Sequence, residues 1–307
     1  MTVRKLTSTD AFVVVDFPDA PASGVVRRAR KVLESSATDL ARTATYGFAA
    51  FGVQRSGASA GINAEGDAIG GAVEAFVSEL LPDVAGGQLH LDAGKGVAPD
   101  QLAELRQASG VGPLAGSTRL LNVGIAAAAA WAVGGDLKGT TLAVEGRADA
   151  PEGLIDTLTE AGATVVDVWG VDEKPWLVWG AKVDAIIAGS KPGVLTHQGV
   201  GFVTAKAIVP WGPVPFTTKA LAQVLAPGSV RLLPDFVTTA GGWLAGYLDG
   251  VGDDEAAATP VVVNRIVEVL TAAASHRDGV LLGACYQAEE FMASWQPKKP
   301  FGRPLAA

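Results

Sequence analysis

The spacing of apolar residues changes period several times along this chain, and the changes mark out its elements. Residues 11–17 (AFVVVDF) are a dense apolar run that predicts a strand, followed by a loop carrying Pro and Gly. Across residues 25–44, Val25, Ala29, Val32, Leu33, Leu40 and Ala44 fit one face of a helix. Residues 48–53 read as a short strand and residues 55–61 (RSGASAG) as a loop of small residues. Helical spacing returns over residues 67–81, with Ile69, Val73, Phe76, Val77 and Leu80 on the buried side. Residues 89–91 read as a strand and 92–97 as a loop. Pro99 then starts a helix with Asp100 in its first turn, and residues 110–116 read as a hinge.

An alanine-rich helix over residues 120–133 leads into GGDLKGTTLAVEGRADAPEGLIDTLTEAGATVVDVW, residues 134–169. Residues 140–144 are a short apolar run suited to a parallel strand covered on both faces. Gly146 follows in a loop, and Leu154, Leu158 and Ala161 share one helical face before Gly162 ends it. A second strand is predicted over 163–168. Three further strands, at 185–188, 205–209 and 230–233, accompany helices at 217–225, 239–248, 259–274 and 286–295. This alternation predicts an α/β fold with a mostly parallel, doubly wound sheet.

A strand, a glycine loop, a helix and a strand make up the opening unit of a dinucleotide-binding domain. There, G-x-G-x-x-G allows a tight turn, close approach of the pyrophosphate, and helix–strand packing. The six positions here are Gly146, Arg147, Ala148, Asp149, Ala150 and Pro151, so only the first glycine is kept. Asp149 brings negative charge to the place where a phosphate would meet helix amides. Trp169 and Gly170 stand where an acidic residue would hold a ribose. The loop is therefore expected not to bind NAD or NADP in the usual way.

At 307 residues the chain has room for two domains. With 49% hydrophobic and 18% charged residues it reads as a globular protein with a large core. A net charge of −8, without a Lys/Arg cluster, argues against a nucleic-acid surface. The alanine-rich run 125–133 is short of the roughly 20 residues of a membrane span, and no signal pattern opens the chain. The one cysteine, Cys285, and three scattered histidines suggest a reducing cytoplasm and no metal site.

The ordered stretches DLARTATYGFAAFGVQRSGASAGINAEGD, LDAGKGVAPDQLAELR, GGDLKGTTLAVEG and VRLLPDFVTTAGGW resemble the glutamate/leucine/phenylalanine/valine dehydrogenase family. The resemblance implies an N-terminal α/β catalytic and dimerisation-type domain (1–118), a Rossmann-like domain (119–258), and C-terminal helices (259–307) packing back on the N-terminal domain. It also implies a homo-oligomer. In that family one lysine holds the substrate carboxylate, a second polarises the reacting carbon, and an aspartate shuttles the proton. The matching positions here hold Gly47, Ser59 and Gly94. On the nucleotide side the family's threonine appears as Val123, and its two asparagines as Pro213 and Thr239. Such deamination needs an ammonium donor and an acid/base pair within hydrogen-bond reach, and a serine supplies no charge at neutral pH.

Arg55, Asp92 and Lys95 lie in two loops that the resemblance turns toward the family's cleft, as either a replacement ion-binding or acid/base set or solvated charges. Arg27 matches a family arginine and reads as one half of a structural salt bridge; His90 reads as a satisfied hydrogen-bonder, and His197 and His276 as surface residues. Trp169, Trp176, Trp179 and Trp211 either fill the cofactor crevice or form an aromatic platform. Asp235, at a strand's carboxyl end, is a further cleft candidate. Two readings remain: a catalytically silent homologue that binds, regulates or assembles, and an active NAD(P)-dependent oxidoreductase on an amino or 2-oxo acid with rebuilt residues.

Overall fold

The computed structural model describes residues 1–168, 170, 174–224, 230–248 and 252–304. The chain divides into two compact units, residues 1–116 with 288–304, and residues 117–287.

The first unit contains β1 (Thr2–Lys5), β2 (Ala11–Val15), β3 (Ala22–Ala29), α1 (Glu34–Ala50), β4 (Ser56–Asn63), α2 (Ile69–Ala85), β5 (Leu89–Ala93) and α3 (Ala103–Ala108). Its strands form one sheet in the order β1-β2-β4-β3-β5. β2 pairs antiparallel with β1 and β4, and β3 pairs parallel with β4 and β5.

Three expectations are corrected here. Residues 25–29 are strand, not helix: Val26 is fully buried while Val25 and Arg27 on either side are only partly covered, the alternation of a pleat. The helical spacing of Val25, Ala29 and Val32 is a coincidence of the strand running into the turn before α1. Residues 48–50 belong to α1 rather than to a strand. The supposed loop RSGASAG is mostly β4. Its residues are small because α1 lies directly on it: a Cβ added at Gly57 would sit 1.8 Å from the Ala41 carbonyl oxygen.

One face of the sheet is sealed by α2 and α3, which pack Val73, Phe76, Val77, Leu80 and Leu105 on Val26, Ala58, Ala60, Ile62 and Leu91. The other face carries Phe12 and Val14 beneath Ala37 and Ala41 of α1. Residues 288–304 are fastened to this unit by polar clamps. Buried Arg42 grips Asp16 through Nε and Nη2 at 2.7 and 2.8 Å. Its Nη1 donates to the carbonyls of Phe301 and Gly302. Glu289 accepts from Tyr46 at 3.0 Å and from Arg303 at 2.7 and 3.1 Å.

The second unit contains α4 (Thr118–Val133), β6 (Thr141–Val144), α5 (Leu154–Glu160), β7 (Thr164–Val165), β8 (Ala185–Ala188), α6 (His197–Val200), β9 (Ala207–Pro210), α7 (Thr218–Val224), β10 (Arg231–Leu232), α8 (Asp235–Thr238), α9 (Gly241–Leu244), α10 (Glu255–Ala274) and the larger part of α11 (Gly279–Ala293). Its sheet has the order β10-β9-β8-β6-β7 and every pairing is parallel, as the alternation predicts. The expected helix over 239–248 is broken into short pieces, and β7 is much shorter than predicted. α10 has the length and apolar composition of a membrane span. One of its faces, through Ala258, Val262, Ile266, Val269, Leu270 and Ala273, is nevertheless buried in this unit.

Candidate functional site

In the second unit the candidate site is the carboxyl end of the parallel sheet. Gly146 has φ +63°, and a Cβ there would lie 2.3 Å from the Ser190 Cβ, so only glycine fits. After it, Arg147, Ala148 and Asp149 form a 3-10 turn, and α5 begins at Leu154. The loop is drawn inward by a carboxylate of the chain itself. Glu145, buried, accepts the N–H groups of Gly189 and Ser190 at 3.0 and 3.1 Å and the Ser190 hydroxyl at 2.6 Å. Its carbonyl accepts Trp211 Nε1 at 3.0 Å. The turns after β8 and β9 touch as well, because a Cβ on Gly189 would come within 2.1 Å of the Gly212 nitrogen. Amides at these strand ends are where such folds meet anions. Two of them, those of Gly189 and Ser190, are already satisfied internally.

Because β7 stops at Val165, the acidic residue following it is Asp167, which pairs with Arg147. Trp169 lies outside the described residues. Trp179 and Trp211 are buried as core filling, whereas Trp176 is exposed. Val123 is half-buried on α4, and the Thr239 hydroxyl donates to the Asp235 carbonyl at 2.7 Å. Asp235 itself is buried and accepts the Val214 N–H at 2.6 Å. Val214 has φ +52°, an outlier for a β-branched residue. Burial pushes the Asp235 carboxyl up to about 6, against the hydrogen bonds from Val214 and neighbouring amides that pull it down.

In the first unit the strand register gathers most of the other candidates on one sheet face. Ser59 pairs with Val14 and Val25, and Val25 with Asp92. Ser23 pairs with Gly57 and His90, and Arg27 with Gly61. Since alternate residues share a face, Ser23, Arg27, Ser59, His90 and Asp92 all lie on the side that faces α1. Ser59 is fully buried and its hydroxyl has no partner among the described residues. His90 Nε2 lies 3.1 Å from Asp92 Oδ2, and Arg106 Nη1 is 3.5 Å from Asp92 Oδ1. An imidazole oriented by a carboxylate can take up and return a proton. Arg55 donates to the Ser23 hydroxyl. Gly94 sits against Val26 and Arg27, and Lys95 is exposed beyond β5. Gly47 is buried within α1, two residues past Thr45, whose hydroxyl accepts the Gly57 N–H at 2.8 Å. Among the described residues Arg27 has no salt bridge; the sequence points to a paired arginine, yet its bond is to the Ser36 hydroxyl at 3.1 Å. The grouping on one face was not visible in the sequence, because it depends on which strands are neighbours. Among the described residues no cluster of His, Cys, Asp and Glu could hold a metal.

No family model matches the sequence, and no curated protein matches it. Solved structures do. The hetero-hexameric glutamate dehydrogenase of Thermus thermophilus, in a Leu-bound form, matches over 95% of this chain and 86% of its own, with a TM-score of 0.78 and 21% identity. The L-tryptophan dehydrogenase of Nostoc punctiforme matches over 97% of both chains, with a TM-score of 0.68 and 22% identity. The glutamate dehydrogenase of Peptoniphilus asaccharolyticus matches over 94% of this chain and 87% of its own, with a TM-score of 0.68 and 16% identity. The chain has the fold of the amino-acid dehydrogenases.

Proposed function

We propose that this chain is a divergent member of the amino-acid dehydrogenase family that has lost oxidative deamination and acts as a binding, regulatory or assembly protein, as a cytoplasmic homo-oligomer. The observation that carries this reading is Ser59. A buried hydroxyl on the central strand β4 occupies the position that the resemblance gives to the reactive lysine, and it supplies no cation to polarise a substrate. The Glu145 carboxylate bonded to the Gly189 and Ser190 amides supports the loss of ordinary dinucleotide binding.

A second reading, an active NAD(P)-dependent oxidoreductase on an amino or 2-oxo acid, is favoured by the His90–Asp92 pair and by Asp167 after β7. In that case His90 would move the proton and Asp92 would orient it. Calorimetry with NADH and NADPH, or energy transfer from the tryptophans, separates the two. The silent reading expects no binding up to millimolar nucleotide. Low-micromolar binding, followed by turnover of any amino or 2-oxo acid, would overturn it.

A further inference from the structure

On the α2 side of the first unit's sheet, opposite the face that gathers Ser59, His90 and Asp92, lies a cavity of about 210 Å³. Val13 and Val15 of β2, Leu80 of α2 and Leu89 of β5 wall it, and Ala22 of β3 lines it with a side chain too small to fill it. These walls belong to the core on that side, and none of them carries a polar side-chain atom. Arg4 of β1 pairs with Val13 in the ladder and therefore shares its face. Half-exposed, it reaches across to α2, where its Nη1 lies 2.5 Å from Asp83 Oδ2 and its Nη2 3.8 Å from Glu79 Oε1. Arg4 and Asp83, with Gln88, form the polar rim of the cavity.

The walls set the body of a ligand and the rim sets its charge. An apolar cavity of about 150 Å³ holds benzene, so 210 Å³ takes one six-membered ring with a short substituent. An anion finds little at Arg4, whose charge already faces two carboxylates. Glu79 is in turn held by the Thr7 and Ser8 amides and the Ser8 hydroxyl. An ammonium would meet the guanidinium at the same mouth. An uncharged ring escapes both penalties, and the planar guanidinium of Arg4 offers a flat cationic face to an aromatic one.

We propose that this cavity is a binding site for a small uncharged aromatic molecule, with its ring between Val13, Val15, Leu80 and Leu89 and its polar group at the Asp83–Gln88 rim. The site lies on the far face of the sheet from the catalytic candidates and stands whichever reading of the function holds. Phenol is the probe, with benzoate as its charged counterpart and cyclohexanol as its non-aromatic one. Methyl signals of the four wall residues are followed by NMR in the intact protein, and affinity is measured by calorimetry. Phenol at millimolar concentration is expected to shift these signals in a saturable way, while the methyls of Ile186 and Ile208 in the second unit's core stay in place. Val15→Phe, which puts a ring of the chain's own into the cavity, is expected to weaken binding roughly tenfold or more, because the ligand loses its buried apolar contact. Arg4→Gln, on the exposed rim, should weaken it about two- to fivefold, the worth of a half-exposed cation–π contact. Circular dichroism confirms that each variant folds. The proposal is overturned if phenol leaves the wall methyls unmoved, if either variant binds phenol as well as the parent, or if benzoate or cyclohexanol binds as tightly as phenol.

Discussion

Replacing Asp235 by Asn tests whether the buried carboxyl is a protonation site coupled to folding. Its carboxyl is pushed up to about 6 from 3.8 by burial. The native state therefore binds a proton more tightly than the unfolded chain between those values. The stabilising contribution is complete below about pH 4 and is lost as the pH rises through about 6. A shift of about two units corresponds to about 3 kcal/mol. Asn keeps an oxygen for the Val214 N–H, 2.6 Å from Asp235 Oδ2, but cannot ionise. The variant should thus gain about 3 kcal/mol on the parent between pH 4 and pH 7.5, whatever their offset at either end. Urea unfolding of both proteins at the two pH values, followed by tryptophan fluorescence, reads the difference directly. Other carboxylates, such as Asp184 and Glu289, are held low by hydrogen bonds or ion pairs and titrate alike in both proteins, so they cancel in the difference. An offset that is the same at both pH values would refute a proton held by burial.

Three further outcomes are expected. Gly57→Ala should cost about 3 kcal/mol in denaturant unfolding, because its Cβ would meet backbone atoms of Ala41 and Thr45 at 1.8 and 2.5 Å; a neutral result would mean that α1 can lift off β4 freely. Glu145→Ala leaves two amides and the Ser190 hydroxyl without an acceptor and should cost about 2–3 kcal/mol, with Glu145→Gln milder. Equal stability of Glu145→Ala and its parent would show that the carboxylate does not tie these loops. Arg42→Ala breaks a buried ion pair with Asp16 and should cost about 3–5 kcal/mol. It should also expose residues 296–304 to limited proteolysis, and an unchanged cleavage pattern would count against the clamp.

The second unit was largely legible because parallel strands buried on both faces read as apolar runs, and β6, β8 and β9 stand close to where the pattern puts them. The first unit was less so. Val25, Ala29 and Val32 satisfy helical spacing even though Val26 and Arg27 alternate across a strand, and periodicity alone does not separate these over so short a run. Gly57 and Gly61 look like turn residues, but their smallness answers to close neighbours on the α1-facing side: the Ala41 carbonyl above Gly57, and the Phe12 ring 2.7 Å from an added Cβ at Gly61. The candidate residues of that unit could be named from the sequence, but their shared face could not. Ser59, Val25 and Asp92 are aligned only by the β2-β4-β3-β5 neighbour order, which local patterns do not encode. Glu145 was passed over for a related reason, since its partners lie some 44 residues further along.

The clamp of Arg42 on Phe301 and Gly302 has a consequence for how the protein is made. These groups are 259 and 260 residues apart in the chain, so the first unit is closed by a segment that leaves the ribosome long after the sheet it fastens. Residues 117–287 form a continuous stretch that can compact as it emerges. The sheet of the first unit is synthesised before that stretch but waits, with Arg42 and Asp16 in place and no carbonyls to grip, until residues 301 and 302 have followed. That interval is when the Arg42 and Asp16 side chains are open to wrong partners. A ribosome stalled before residue 288 should therefore carry a protease-resistant middle and a protease-sensitive beginning, the reverse of their order of synthesis.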